Sequence, residues 1–225
     1  MPRHRKNPRT GRPIPTLAQR RAGIRRKGTA VVALSKARKL ERMIEVKHSD
    51  VHDSGTCTQA GDVTNLTSIA QGTTSVTRSG DKITPTSFKM KYYVRFNTSA
   101  TGPVGVRVLL VQSKSIDAAA TYTVSDILDL SPASGEEHLS NYTWNQSRRF
   151  RVLYDKIHTL YDQAGHFQQI NGFINIPGSR LHNVRFNPGS STQVVYGGLN
   201  LICLSDEPTN PPSWNAVGRL AFKDA

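Results

Sequence analysis

The chain has no apolar run approaching the roughly eighteen residues of a helical membrane span. No apolar stretch follows its basic N-terminus, so a secretory signal is not expected. Acids are absent through residue 40, as in a mitochondrial presequence, but Pro2, Pro8, Pro13 and Pro15 oppose the amphipathic helix such a leader needs. Intracellular synthesis is the expectation. Cysteine is scarce: Cys57 and Cys203 cannot build a disulfide framework or a four-ligand zinc site. Two reduced, buried thiols are expected instead.

The motifs of common enzymes are also missing. There is no GxxxxGK phosphate loop, no GxGxxG and no GxSxG elbow, and nothing marks a carboxylate pair held for acid–base work. Neither catalysis nor a cofactor is expected. His48 and His52 lie four apart beside Asp50 and Asp53, a spacing that would allow a metal, but a polar turn after a first strand is the favoured reading. Glu136, Glu137 and His138 read as solvated surface.

Charge is present in abundance and is unevenly placed. Of thirty Lys and Arg, fifteen fall in residues 1–47 against only Glu41 and Glu45, while the remaining residues are close to neutral. A +13 leader on a neutral body differs from a uniformly basic domain, and a generic soluble enzyme has no physical need for it. Residues 1–16 mix Arg with Pro and Gly and offer no apolar face, so they are expected to be disordered in isolation. Residues 29–45 space Ala33, Ala37, Leu40 and Ile44 for a helix fading into a first strand near residue 42. The arm, residues 1–40, is therefore expected to be disordered to partly helical, followed by one folded domain over 41–225.

Such an arm neutralises phosphates and releases counterions, giving tight, sequence-tolerant, salt-dependent binding. It has almost no aromatics, so base stacking is not its device. The candidate nucleic-acid contacts are Arg3, Arg5, Lys6, Arg9, Arg12, Arg20, Arg21, Arg25, Arg26, Lys27, Lys36, Arg38 and Lys39. Arg20-Arg21 and Arg25-Arg26-Lys27 also suit nuclear import. Lys89, Lys91 and Arg95 share one face of one strand; this is either an ordinary solvent face or a second surface toward the same polyanion.

The body reads as β. Over 88–96, Phe88, Met90, Tyr92, Val94 and Phe96 alternate with Lys89, Lys91, Tyr93 and Arg95, the pattern of a half-buried strand. Residues 104–111 are apolar on both faces apart from Arg107, as in a central strand. Further strands are expected at 150–160 and 194–204, with shorter ones at 62–69, 166–176, 181–186 and 217–222. Thr123 and Asp126 have capping-box spacing, so VSDILDL is expected to be a short helix stopped at Pro132. Seven or eight strands with one helix suggest a two-sheet antiparallel sandwich, of jelly-roll or immunoglobulin-like type.

Local words then narrow the class. GDKITPTSFKMKYYVRFN (80–97), GVRVLLVQSK (105–114), RRFRVLYDKIHTL (148–160) and GRLAFKDA (218–225) resemble capsid proteins of small circular Rep-encoding single-stranded DNA viruses, with shells like those of circoviruses and plant satellite viruses. Arg149 to Lys156 is the most specific stretch. The resemblance implies an all-β, eight-stranded antiparallel jelly roll and self-assembly into an icosahedral shell of about 60 copies. It also implies packaging of single-stranded DNA, residence in the virion and assembly in the host nucleus. Host import machinery and a receptor would be further partners, with no membrane insertion. By position, Phe150, Val152 and Leu153 would pack in a core strand, with Asp155 and Lys156 at its polar end. Loops 98–103, 131–147 and 205–215 are candidates for the outer surface. The competing readings are a coat protein of a small RNA virus or satellite, and a cellular nucleic-acid-binding protein.

Overall fold

The computed structural model describes residues 31–34, 36, 45–114, 123–130, 136–143, 149–161, 168–188 and 192–224. The chain divides into two units at Glu45/Val46. Residues 31–34 and 36, inside the expected helix, are helical.

The body contains ten strands among the described residues: β1 (Lys47–Thr56), β2 (Asp62–Asn65), β3 (Lys82–Arg95), β4 (Val104–Ser113), β5 (Phe150–Leu160), β6 (Gln169–Pro177), β7 (Val184–Phe186), β8 (Val194–Tyr196), β9 (Leu199–Ser205) and β10 (Ser213–Asp224). All their pairings are antiparallel. Sheet I runs β1-β10-β3, with β6 paired to the second part of β3 and the β7–β8 hairpin added at its start. Sheet II runs β2-β9-β4-β5. Setting the hairpin aside leaves two four-stranded sheets, β1-β10-β3-β6 and β2-β9-β4-β5. That strand order is a jelly roll, because the chain crosses between sheets at nearly every step and β10 returns to lie beside β1. The expected all-β jelly-roll sandwich is thus the fold, with one hairpin more than eight strands.

The alternation in β3 has its physical consequence here. Phe88, Met90, Tyr92 and Val94 are at most 4% exposed and meet Val106, Val108, Leu110, Leu201 and Trp214 between the sheets. Burying one such side chain contributes about 1.5–3 kcal/mol. Cys57 and Cys203 are free and lie in this core, as expected of buried thiols. Burial pushes the Cys203 thiol well above its usual range, and the neighbouring Cys57 adds to the effect.

Sheet II is apolar on its second face too, and the chain covers that face with its own β4–β5 connection. Val124, Ile127 and Leu128 pack on Leu109, Val111, Ile202 and Leu204. Every residue of β4 is therefore buried. The expected helix at VSDILDL is a single 3-10 turn, Val124–Asp126. Beyond it, Leu128 bridges to Tyr142, and Asp129 N–H and Thr143 N–H bond the carbonyls of Asn141 and Ile127. That short ladder takes the groups a helix would need.

The covering segment is held by Arg107. Its guanidinium bonds Asp155 through Nε–Oδ1 at 2.9 Å and Nη2–Oδ2 at 2.7 Å, and it also donates to the Ser140 carbonyl at 2.5 Å. Tyr142 donates to the same carboxylate. Asp155 is thus mid-strand in β5, where the resemblance had put a polar end. Burial raises its carboxyl, but the bonds from Arg107 and Tyr142 outweigh burial and hold it below the usual carboxylate range. Burial and Asp155 together push the Tyr142 hydroxyl up to about 12. His138, read from sequence as solvated surface, packs its ring where a side chain at Gly105 would stand; a Cβ there would lie 2.3 Å from His138 Nε2.

The polar stretch expected to be a turn, His48 to Asp53, is instead most of β1. It is an edge strand whose outward residues meet water, and charge on an edge opposes pairing with other chains. Lys47, counted above with the arm, belongs to the body: it is buried, 2.8 Å from Asp224 and bonded to Ser79. Arg78 is fully buried, its guanidinium 4.0 Å from the Phe186 ring centroid and its Nε on the Ile69 carbonyl, which pins the β2–β3 connection. Gly197 has φ +76°, and a Cβ there would lie 2.1 Å from the Asn183 carbonyl oxygen, so the β8–β9 turn requires glycine.

Candidate nucleic-acid interface

Of the thirteen arm residues expected to bind nucleic acid, Lys36 lies on a described helical residue and is exposed. Arg3, Arg5, Lys6, Arg9, Arg12, Arg20, Arg21, Arg25, Arg26, Lys27, Arg38 and Lys39 lie outside the described residues.

The body supplies a second surface. Among the described residues, sheet II is covered by its own chain, and the broad sheet face left open is the outward side of sheet I. Period-two alternation assembles it, and the register sets its rows. One row reads His52, Val217, Lys91, Phe173 across β1, β10, β3 and β6; the row on one side reads Asp50, Arg219, Lys89, Asn175; that on the other reads Ser54, Asn215, Tyr93, Asn171. A further row carries Thr56, Ser213, Arg95 and Gln169. These rows enclose two shallow depressions, one floored by Lys91, Tyr93, Asn171, Phe173 and Val217, the other bordered by Asp50, Lys89, Lys91 and Arg219.

The electrostatics of the face follow from these neighbours. Asp50 is its one carboxylate in the four rows, and Arg219 grips it from Nε at 2.6 Å and Nη2 at 2.9 Å. The Arg219 bonds hold the Asp50 carboxyl below its ordinary value. Lys89 stands opposite Arg219 and Asn175, Lys91 opposite Val217 and Phe173, and Arg95 opposite Ser213 and Gln169. No cross-strand carboxylate meets any of the three. Lys89 and Arg219 are like charges directly opposed, an arrangement that costs stability. A surface of this kind attracts anions and, with its amides, offers hydrogen bonds beside the charge.

The Lys89, Lys91 and Arg95 stripe was visible in the sequence. Phe173, Asn171, Asn175, Asn215 and Arg219 were not singled out, although the alternation in INGFINIP (170–177) carries the signal: Asn171, Phe173 and Asn175 recur at every second residue. His48 and His52 both sit on the outward side of β1. Among the described residues no group of three His, Cys, Asp or Glu comes together to hold a metal, and no helix is long and apolar enough to cross a membrane.

No protein-family model matches the chain, and no curated protein does. Solved structures are similar at low identity. A chain of Desmodium yellow mottle tymovirus matches at 10% identity and a TM-score of 0.35, over 80% of this chain and 88% of that one. A chain of the infectious bursal disease virus Gx strain matches at 16% and 0.30, over 80% of this chain and 33% of that one. The VP2 subviral particle of infectious bursal disease virus matches at 14% and 0.31, again over 80% and 33%. This chain thus spans about a third of the two bursal disease virus chains. The jelly-roll assignment rests on the strand order given above.

Proposed function

We propose that this chain is a viral coat protein that assembles into a small closed shell and packages single-stranded nucleic acid through its basic N-terminal arm. The observation that supports this most is the joining of two features in one chain. Residues 46–225 fold as a jelly roll, while half of all Lys and Arg are concentrated in the first 47 residues. A jelly roll supplies a rigid block whose loops and edges can be tiled; a cationic arm supplies the charge that condenses a polyanion. Residues 1–40 are the arm and 41–225 the shell domain in this reading.

The magnitudes are compatible. About 60 arms near +13 carry about 780 positive charges, against one negative charge per nucleotide, which neutralises much of a genome of about one to a few thousand nucleotides. The arm chemistry is indifferent to the sugar. The choice of DNA, and of nuclear assembly through the Arg20-Arg21 and Arg25-Arg26-Lys27 clusters, follows from the resemblance of residues 80–225 to coat proteins of circular single-stranded DNA viruses.

Negative-stain electron microscopy of the full chain, with the ratio of absorbance at 260 and 280 nm on the same sample, tests the proposal. Uniform closed particles with excess absorbance at 260 nm are expected, and the cargo is expected to yield to DNase. RNase-sensitive cargo would keep the shell and make it an RNA coat. A protein that stays monomeric at high concentration with and without single-stranded DNA would overturn the coat reading in favour of a cellular binding protein.

A further inference from the structure

We propose that the outward face of sheet I is itself a platform for single-stranded nucleic acid, separate from the arm. On it, bases stack on Phe173 and Tyr93 while Lys89, Lys91 and Arg95 hold the backbone. The proposal rests on the reading of the chain as a nucleic-acid binder only for the class of occupant. Its geometry is that of the body alone.

Three observations carry it. First, Phe173 is 55% exposed and Val217 54% exposed in the same row, on either side of Lys91. Neither side chain serves the inter-sheet core, so apolar surface is displayed where polar residues would otherwise stand. Second, Tyr93 and Phe173 are diagonal neighbours on adjacent strands, because Tyr93 pairs with Asn171. Diagonal side chains lie about 7–8 Å apart, so each ring can hold its own base. Third, cations without opposing carboxylates flank the rings, and Gln169 and Asn171 share a hydrogen bond of 3.0 Å beside them. Aromatic rings, basic side chains and amides on one open sheet match a splayed single strand, whose base faces are free. A duplex hides those faces.

The alternative cover is a second copy of this chain. A two-fold contact of this face with itself would bring together two patches that each carry Lys89, Lys91, Arg95 and Arg219 against one carboxylate, Asp50, which is electrostatically unfavourable. The charge therefore favours a polyanion.

The test uses the full chain, a fluorescein-labelled oligothymidylate, its oligouridylate counterpart and a duplex of equal length. Anisotropy is read at a salt concentration of about 0.3 M, where phosphate binding by the arm is weakened. The variants are Phe173→Ala, Tyr93→Ala and Tyr93→Phe. Each alanine is expected to weaken single-strand binding by between about fivefold and a hundredfold, the worth of one stacked base, and to leave duplex binding unchanged. Tyr93→Phe keeps the ring and is expected to bind like the parent. A bromodeoxyuridine-containing strand should photocrosslink to peptides from β3 or β6 of the unaltered protein, a readout that does not depend on any variant folding. Equal behaviour of both sugars would assign the platform to single strands generally; loss with one sugar alone would assign it to that nucleic acid. Crosslinks confined to residues 1–40, or alanine variants with unchanged single-strand affinity, would overturn the proposal. So would a Phe173→Ala protein that keeps its affinity but no longer forms particles, since the face would then be a subunit contact. Particle formation by the unaltered protein is scored separately, so a failed platform and a failed shell give different results.

Discussion

Arg107 on β4 and Asp155 on β5 form a two-pronged ion pair across adjacent strands of sheet II, at 2.9 and 2.7 Å. Their directly paired positions are Arg107 with Ile157 and Asp155 with Leu109, so the pair spans a diagonal. The guanidinium reaches further, to the carbonyl of Ser140, and so ties the covering segment to the sheet beneath it.

Removing one member should therefore cost more than removing both. Asp155→Ala leaves the Arg107 charge, 6% exposed, without its carboxylate, and a loss of about 3 kcal/mol is expected. Arg107→Leu with Asp155→Leu should recover part of that loss. Urea unfolding of the three proteins gives the comparison. Equal losses would mean that the pair is not the tether.

Acid should weaken the fold in two stages. Burial lowers the His158 pKa, with Lys156 adding to the shift, so the folded state resists the proton that the unfolded chain accepts near pH 6.5. Above about pH 6.5 both states are neutral and the group is silent. Below it, stability falls until the folded imidazole also titrates. Asp155 acts later: its folded carboxyl is held low, so the stability it contributes is present above its ordinary pKa and is lost as pH falls through the folded value. His182 is lowered in the same direction as His158. Urea midpoints at about pH 7.5 and 5.5 should drop in the parent and drop less in His158→Gln.

Gly172 makes room for the Tyr92 ring. A Cβ there would lie 2.0 Å from Tyr92 Cζ, whose hydroxyl is bonded to Tyr154 at 2.8 Å and His158 Nε2 at 2.9 Å. Gly172→Ala should displace the ring and break these bonds, at about 2–3 kcal/mol. Denaturant titration measures the loss. A neutral substitution would show that β6 yields instead.

Both thiols should be inert while the fold persists. Cys57 is fully buried, Cys203 is 2% exposed, and burial disfavours the Cys203 thiolate, which is the reactive form. Maleimide labelling of the native chain should be negligible and should reach two per chain in denaturant. Rapid native labelling would contradict the packing around them.

What the sequence revealed depends on how each residue meets its surroundings. β3 was legible because one face meets the core and the other water, and Phe88 to Val94 alternate accordingly. β4 was legible as central, but the cause of its second apolar face was not. That face is covered by Val124, Ile127 and Leu128, which are distant in sequence and read as a helix of their own. β1 was misread because an edge strand needs few apolar residues; Val51 is its one apolar side chain, and it packs against the core. The interface was half visible. Lys89, Lys91 and Arg95 lie on one strand, whereas Phe173, Val217 and Asn215 join them only through the register of three strands.

The place of β10 has a consequence for biosynthesis. It lies between β1 and β3, so the first strand of the roll bonds to the tenth, Lys47 to Phe222, and sheet I has no middle until residues 213–224 are made. Until then β1 has no strand partner among the described residues and β3 presents a long unpaired edge, the kind of surface that recruits strands from other chains. Closing so distant a contact is slow. A chain arrested before β10 has sheet I in two pieces and is aggregation-prone. The tenth strand thus serves as a completeness check: only chains translated through residues 213–224 close sheet I.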